Sequence, residues 1–267
     1  MSKQLSIYDF HLHTQFSPDS STPLEVYAQL ADQLSIHIGF LDHFELAFLD
    51  RQGYLNYDRL PCLLESFDNT KRQFPSISLG LEVDFYSDHS SFVAEFCDDF
   101  RNDFDYFIGT VHTVAGLAVT TKEELDILVA RIGLPTILRR YFDEVEGAIR
   151  SGLFDGIAHI DGVMRFVPLY NVGQKLMTFW EERTLELGHL CHANKVPIEI
   201  NLRGLTPPWG ETHPSRPLVT QLVQAGAHFF IGSDSHSIKD FEEAIPQLKE
   251  QHAYLRDCNA LELPISL

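Results

Sequence analysis

Long hydrophobic runs are missing from this chain. No segment approaches membrane-spanning length, and the opening MSKQLSIYDF lacks the apolar stretch of a secretion signal. The expectation is therefore a cytoplasmic protein with no membrane partner. Cations are scarce as well: 20 Lys and Arg stand against 38 Asp and Glu, a formal net charge of −18. That balance, with no basic stripe, excludes a general electrostatic grip on nucleic acid or anionic lipid. The four cysteines, Cys62, Cys97, Cys191 and Cys258, show no CxxC spacing and read as reduced, buried thiols. A Pro/Gly/Ser-rich linker, a low-complexity tract and a short repeat are all absent. The 267 residues, 44% of them hydrophobic, thus read as one domain over 1–267 with ample core.

What the chain does have is alternation. Apolar, β-rich runs (LSIYDFHLH, IHIGFLDH, ISLGLEVDF, DYFIGTVH, DGIAHID, VPIEIN and HFFIGSD) are separated by helical patterns. The helices are expected near Thr22 to Gln33, Asp58 to Gln73, Ser91 to Arg101, Leu134 to Ser151, Gly173 to Asn194, Ser215 to Ala225 and Lys239 to Gln251. Thr22, Pro23 and Glu25 form a start signal for the first, with Thr22 as N-cap. Repeated β-then-α units with buried strands imply a parallel sheet with outer helices. Seven such units favour an α/β barrel, with an open doubly wound sheet as the other arrangement the pattern allows.

The stretch DFHLHT raises a chemical question. Alternate side chains of a strand share a face, so His11 and His13 point together while Leu12 points away. Two adjacent imidazoles repel when charged and bury poorly when neutral, and a metal ion is the simplest thing that accommodates both. The other strands end similarly: Asp42-His43, Glu82, His112, His159, Glu199-Ile200-Asn201, and Asp234 with His236 beyond. In a parallel barrel the carboxyl ends converge on one rim, where active sites sit. Six of the 13 histidines lie at such ends. His37, His189, His192, His228 and His252 fall elsewhere; His89 and His213 are in or near loops, and His213, in GETHPSRP, could approach a substrate. With Asp19 from FSPDS, the candidate ligands are too many for one ion, so two to three divalent metals are expected.

DFHLHTQFSPDS, LDHFE, GLEVDF, GTVHT, AHID and GSDSH resemble, in order, the motifs of the polymerase and histidinol phosphatase (PHP) superfamily. FDYFIGTVH, YFDEVEGAIRSGLFDGIAHID and GETHP are similar to the monofunctional histidinol-phosphatases within it. That resemblance implies a distorted seven-stranded (β/α)7 TIM-like barrel with a trinuclear metal centre. It would group His11, His13, Glu82 and Asp234 at a first metal, and let Glu82 bridge to a second held by His112 and His159. A third would take Asp19, His43 and His236. Many superfamily members have histidine where this chain has Asp19, a harder ligand that leaves zinc, iron and manganese all open. Asp9 is expected to support the ligands by hydrogen bonding rather than to bind metal.

Such a cluster, less the charges of Asp19, Glu82, Asp234 and a bridging hydroxide, leaves about two positive charges, which suits a phosphate monoester dianion. A water bridging two metals is ionised near neutral pH and can attack phosphorus in line. Arg165 and Arg203, in loops after the fifth and sixth strands, are candidates for phosphate, with Arg216 a weaker third. Asp42, His43 and His236 are the suspects for protonating the leaving alkoxide. The resemblance implies hydrolysis of L-histidinol phosphate to L-histidinol and phosphate in histidine biosynthesis, by a monomer or small homo-oligomer. Glu211, Glu45 and Asp161 could each meet the substrate's cationic groups. The alternatives are a phosphoesterase for a nucleotide or other small phosphoester, an amidohydrolase, and a metal-binding domain without turnover. The second expects a carboxylated lysine that no middle strand supplies.

Overall fold

The computed structural model describes residues 7–50 and 53–264. Seven parallel strands form one sheet in sequential order: β1 (Ile7–Leu12), β2 (Ile36–Phe44), β3 (Ile77–Asp84), β4 (Tyr106–Thr110), β5 (Gly156–Ile157), β6 (Ile198–Asn201) and β7 (Phe229–Gly232). The last strand returns to the first. Asp234 N–H donates to the His11 carbonyl (2.8 Å) and His13 N–H to the Ser235 carbonyl (2.9 Å), which closes the mouth of the barrel. β5 has only two residues, and β1 and β7 meet through these rim bonds rather than a full ladder. The barrel is therefore distorted and nearly closed, as expected. Leu5 and Ser6, assigned above to the first strand, lie outside the described residues.

Alternation sorts the side chains into two layers. Phe10, Leu41, Tyr106, Ile108, Ala158 and Phe230 pack together inside the barrel. Ile38, Phe40, Leu79, Leu81, Phe107, Ile157, Ile198, Ile200 and Ile231 face the outer helices in the larger core. In β1 the register shifts between Asp9 and Leu12. That bulge turns the alternation over: Phe10 is inside, Leu12 joins the outer layer, and His11 faces the mouth.

The helices are α1 (Leu24–Leu34), α2 (Leu60–Lys71), α3 (Ser90–Phe100), α4 (Lys122–Ile132), α5 (Leu134–Ser151), α6 (Gln174–Asn194), α7 (Arg216–Gln224) and α8 (Ile238–Asp257). Helix α4 and the small hairpin pairing Thr113–Val114 with Leu117–Ala118 were not anticipated. Thr22 does not cap α1: Pro23 occupies the N-cap position, and the Gln15 side-chain carbonyl accepts from Leu24 N–H (3.0 Å) instead. Cys97 and Cys191 are buried, but Cys62 and Cys258 are exposed. Cys62 misses the core because α2 buries Leu60, Leu63, Phe67 and Thr70, a stripe that Cys62 does not join. No helix among the described residues is long and apolar enough to cross a membrane.

Candidate metal centre

The carboxyl ends of the strands bring the expected ligands to one place. His11 and His13 are fully buried with their Nε2 atoms 3.0 Å apart. Each ring has a partner for its other nitrogen. Glu199 Oε1 lies 2.6 Å from His11 Nδ1, and Ser17 Oγ lies 3.0 Å from His13 Nδ1 while donating to Asp42 Oδ1 (2.7 Å). Nδ1–H therefore donates outward in both rings, so with both rings neutral, as ligands are, two Nε2 lone pairs would face each other. Such a contact is repulsive unless a cation lies between them. Asp234 Oδ1 approaches His13 Nε2 at 3.3 Å, and Glu82 Oε2 approaches the His11 and His13 Nε2 atoms at 3.5 and 3.8 Å. Asp234 adopts a left-handed backbone (φ 55°), a conformation aspartate tolerates better than most residues.

The other Glu82 oxygen begins a second group. Oε1 is 3.2 Å from His112 Nε2 and 3.0 Å from His159 Nε2. Asp84 Oδ1 stands 2.9 Å from His112 Nδ1 on the far side of the ring. A third group lies toward the mouth, where Asp19 Oδ2 is 2.9 Å from His236 Nε2 and Oδ1 is 3.8 Å from His43 Nε2. His236 donates Nδ1–H to the Asp234 carbonyl (3.0 Å), leaving Nε2 free to ligate. The donor atoms of His11, His13 and Asp234, of Glu82, His112 and His159, and of His13, His43 and His236 each lie within 4.8 Å of one another. His43, Glu45 and His112 make a further such set, which brings in Glu45.

The residues fit divalent cations. Glu82 Oε2 and His43 Nδ1 are buried without a hydrogen bond among the described residues, although 2.8 Å apart, because their lone pairs and protons are out of line. Burial pushes the Glu82 carboxyl up, yet the imidazoles of His112, His11 and His43 hold it well below the usual range. Burial opposes ionisation of Asp234 too, and His11, His13, His236 and Arg203 overcome it. Asp19 is likewise lowered against burial by His236 and His43. The rings divide. Burial with the neighbouring His236 and His43 lowers His13 well below its usual value. For His11, His43 and His112 burial is outweighed by carboxylates, Glu199 and Glu82 at the first and Glu82 at the other two, so these rise well above it. The imidazoles thus favour the ionised form of Glu82, Asp234 and Asp19, the form in which a carboxylate ligates a cation.

A cavity of about 350 Å³ opens over the cluster, with Arg165, Arg203, Asn201 and His213 in its wall. Arg165 Nε is buried without a partner among the described residues, and burial plus the neighbouring Arg203 lowers the guanidinium's pKa. Arg203 donates to the Asp234 carbonyl (3.1 Å). Glu45, nearly buried in the same wall, is raised to about 7 by burial and by Asp84.

Some expectations find a different place. Asp42 does not line this cavity: its carboxylate accepts from Thr14 N–H and Oγ1–H (2.6 Å each) and from Ser17 Oγ–H, so it braces the loop behind His13. Arg216 lies elsewhere, stacked 3.5 Å over the Tyr254 ring. Glu211 is exposed outside the cavity. Asp9 accepts from the His11 and Ser233 N–H groups (3.2 and 2.8 Å), tying β1 to β7 through main chain rather than orienting a ring. Glu199, Ser17 and Asp84 hold ligand rings in roles that sequence reasoning missed. Glu199 and Asp84 at least stand at strand ends; Ser17 had no signal.

A family model described as the PHP domain matches residues 9–203. A protein of Deinococcus radiodurans named "Probable histidinol-phosphatase" is 27% identical over 256 residues, covering 91% of this chain and 92% of the relative. One of the same name from Clostridium acetobutylicum is 24% identical over 86% of each chain. Among solved structures, a chain from Listeria monocytogenes superimposes with a TM-score of 0.80 at 20% identity, covering 90% of this chain and 99% of that one. The histidinol phosphate phosphatase of Lactococcus lactis, solved with zinc, L-histidinol and phosphate, gives 0.68 at 21% identity over 91% and 93%. These two structural likenesses speak for the fold.

Proposed function

The chain belongs to the PHP domain family, and on that premise we propose that it is a metal-dependent phosphomonoesterase that hydrolyses L-histidinol phosphate to L-histidinol and phosphate. One observation carries the reading. Three ligand groups share a buried carboxylate, Glu82, beneath a cavity whose wall carries two guanidinium groups. The nine ligands are His11, His13, Asp19, His43, Glu82, His112, His159, Asp234 and His236, in one domain spanning the chain. Two to three divalent ions, zinc, iron or manganese, suit this mixed imidazole and carboxylate set. When bound, they supply Lewis acidity and an ionised water.

The chain's own residues do the rest. Glu199, Ser17 and Asp84 fix the ring orientations, so that the Nε2 atoms of His11, His13 and His112 point inward. Arg165 and Arg203 present paired donors to the non-bridging oxygens, and their charge favours the dianion over a neutral ester or amide. Glu45 offers a carboxylate to the cationic end of the alcohol, a contact that a plain alkyl phosphate lacks. The names of the Deinococcus and Clostridium relatives and the ligands of the Lactococcus structure support this substrate over others.

The test is phosphate release from a panel of esters by metal-reconstituted protein. L-Histidinol phosphate leads by kcat/KM over nucleoside monophosphates, simple alkyl phosphates and a phosphodiester. A preference for a nucleotide or a diester would replace the substrate assignment. No release from any ester would remove the phosphatase reading altogether.

A further inference from the structure

Beside the ligand cluster sits a second arrangement that none of the metal groups uses. His213 lines the cavity yet is only 3% exposed, and it belongs to none of the four candidate ligand sets. Its Nδ1 lies 3.1 Å from Asp161 Oδ1. Asp161 is itself fully buried, and its other oxygen accepts from Trp180 Nε1–H (3.0 Å). The ring is stacked on the Trp209 indole, 5.6 Å between centroids and 8° between planes. The main chain is pinned too: His213 and Asn201 exchange both N–H···O=C bonds (2.9 and 3.1 Å), which anchors His213 to the end of β6. Every atom of the residue is held except one. Nε2 is buried and has no hydrogen-bond partner among the described residues.

The neighbour of that atom is Gly204, another residue of the cavity wall. A Cβ there would come within 2.6 Å of His213 Cδ2 and 3.1 Å of Nε2, so a side chain would push against this edge of the ring. Leaving a buried ring nitrogen unpaired is unfavourable, and among the described residues no partner offsets it. A carboxylate that fixes the Nδ1–H tautomer and stabilises the imidazolium is the arrangement by which histidine serves as a proton carrier.

We propose that His213 is the catalytic proton donor to the leaving alkoxide, with Asp161 and Trp180 as positioning residues behind it. The proposal rests on the phosphatase reading above. The attacking water's oxygen forms the new P–O bond as the ester P–O bond breaks. The bond's electron pair goes to the departing oxygen, which takes the proton from Nε2 and leaves as the neutral alcohol. The proton lost by the attacking water restores the imidazolium. This assignment takes the place of Asp42, whose carboxylate accepts three hydrogen bonds behind His13 and does not line the cavity, and leaves His43 and His236 as ligands.

The experiment compares two esters that differ in how much their leaving groups need a proton. L-Histidinol phosphate releases a strongly basic alkoxide; 4-nitrophenyl phosphate releases a phenolate stable without one. In H213Q, kcat for the aliphatic ester falls by about 100-fold or more, within the range for general acid catalysis. Turnover of 4-nitrophenyl phosphate stays within about fivefold, and metal content and melting temperature match wild type. D161N shows the same split in milder form, and it carries the test if H213Q does not fold. Equal losses on both esters, or none on either, would overturn the assignment while leaving the phosphatase reading intact. Wild-type protein inactive toward both would overturn the two together.

Discussion

Glu199 shows how much a single side chain decides here. It ends no metal group, yet its carboxylate accepts His11 Nδ1–H on one side and the His159 main-chain N–H on the other (2.6 and 3.0 Å). It reaches His11 only because position 232 is glycine: a Cβ there would overlap both Glu199 Oε1 and His11 Cβ. Glu199→Gln should therefore weaken metal binding by about 10- to 100-fold, the usual cost of losing a carboxylate behind a histidine ligand. Competition with a chromophoric chelator measures this, and Gly232→Ala should move the same reading in the same direction. Arg165 makes a separate prediction. Its Nε, without a partner among the described residues, suits a phosphate oxygen, so Arg165→Ala should raise the inhibition constant of inorganic phosphate by about 10- to 100-fold, from about 1.5–3 kcal/mol for a charged hydrogen bond. Metal content should not change, because Arg165 is a cation outside the candidate ligand sets. At this scale the candidate ligands were legible because each is a metal-binding residue type and all but Asp19 lie at or just beyond a strand. Ser17 was not, since one serine in a loop looks like any other until His13 and Asp42 are seen on either side of it.

Among the elements, β1 carries most of the consequence. Its bulge turns His11 toward the mouth, and its first described residues are held by the last helix. His252 of α8 places Nε2 between the Tyr8 N–H (3.0 Å) and carbonyl (2.6 Å), across 244 residues of sequence. Burial pushes this ring down to about 4, helped by the charge of Arg256 and opposed by the Tyr8 carbonyl. The folded pKa thus lies below the unfolded value near 6.5, so the unfolded chain binds the proton more tightly. The stabilisation is complete above pH 6.5 and is lost as pH falls toward 4, by up to about 3 kcal/mol. Urea unfolding of chelator-stripped protein at pH 7.0, 5.5 and 4.5 reads it. The stability gap between wild type and His252→Gln should shrink steadily toward acid, and a constant gap would contradict the linkage. Long periodic helices such as Leu134–Ser151 could be read directly from their apolar spacing. The two-residue β5 could not be bounded, because AHID continues the apolar run beyond the point where ladder bonds end. The start of α1 differs for another reason: Gln15, in the loop nine residues before Leu24, supplies the cap expected of Thr22.

For the whole molecule, sequential parallel strands explain why ligands scattered from position 11 to position 236 meet at one mouth. The net charge of −18 is general, whereas Arg165 and Arg203 are local to the cavity, where bound cations would add to their charge and suit the site to an anion. Because the candidate ligands come from both ends of the chain, from β1 to the segment after β7, bound metal should stabilise the fold as a unit. At a free-metal concentration of a thousand times Kd each site adds about 4 kcal/mol, so chelation should lower the melting temperature by several degrees or more. The most direct test is elemental analysis of purified, metal-reloaded protein after removal of loosely held ions. Two to three transition-metal atoms per chain are predicted, falling in Asp234→Asn and His112→Ala variants that remain folded. Less than one atom per chain after repeated reloading would contradict the account.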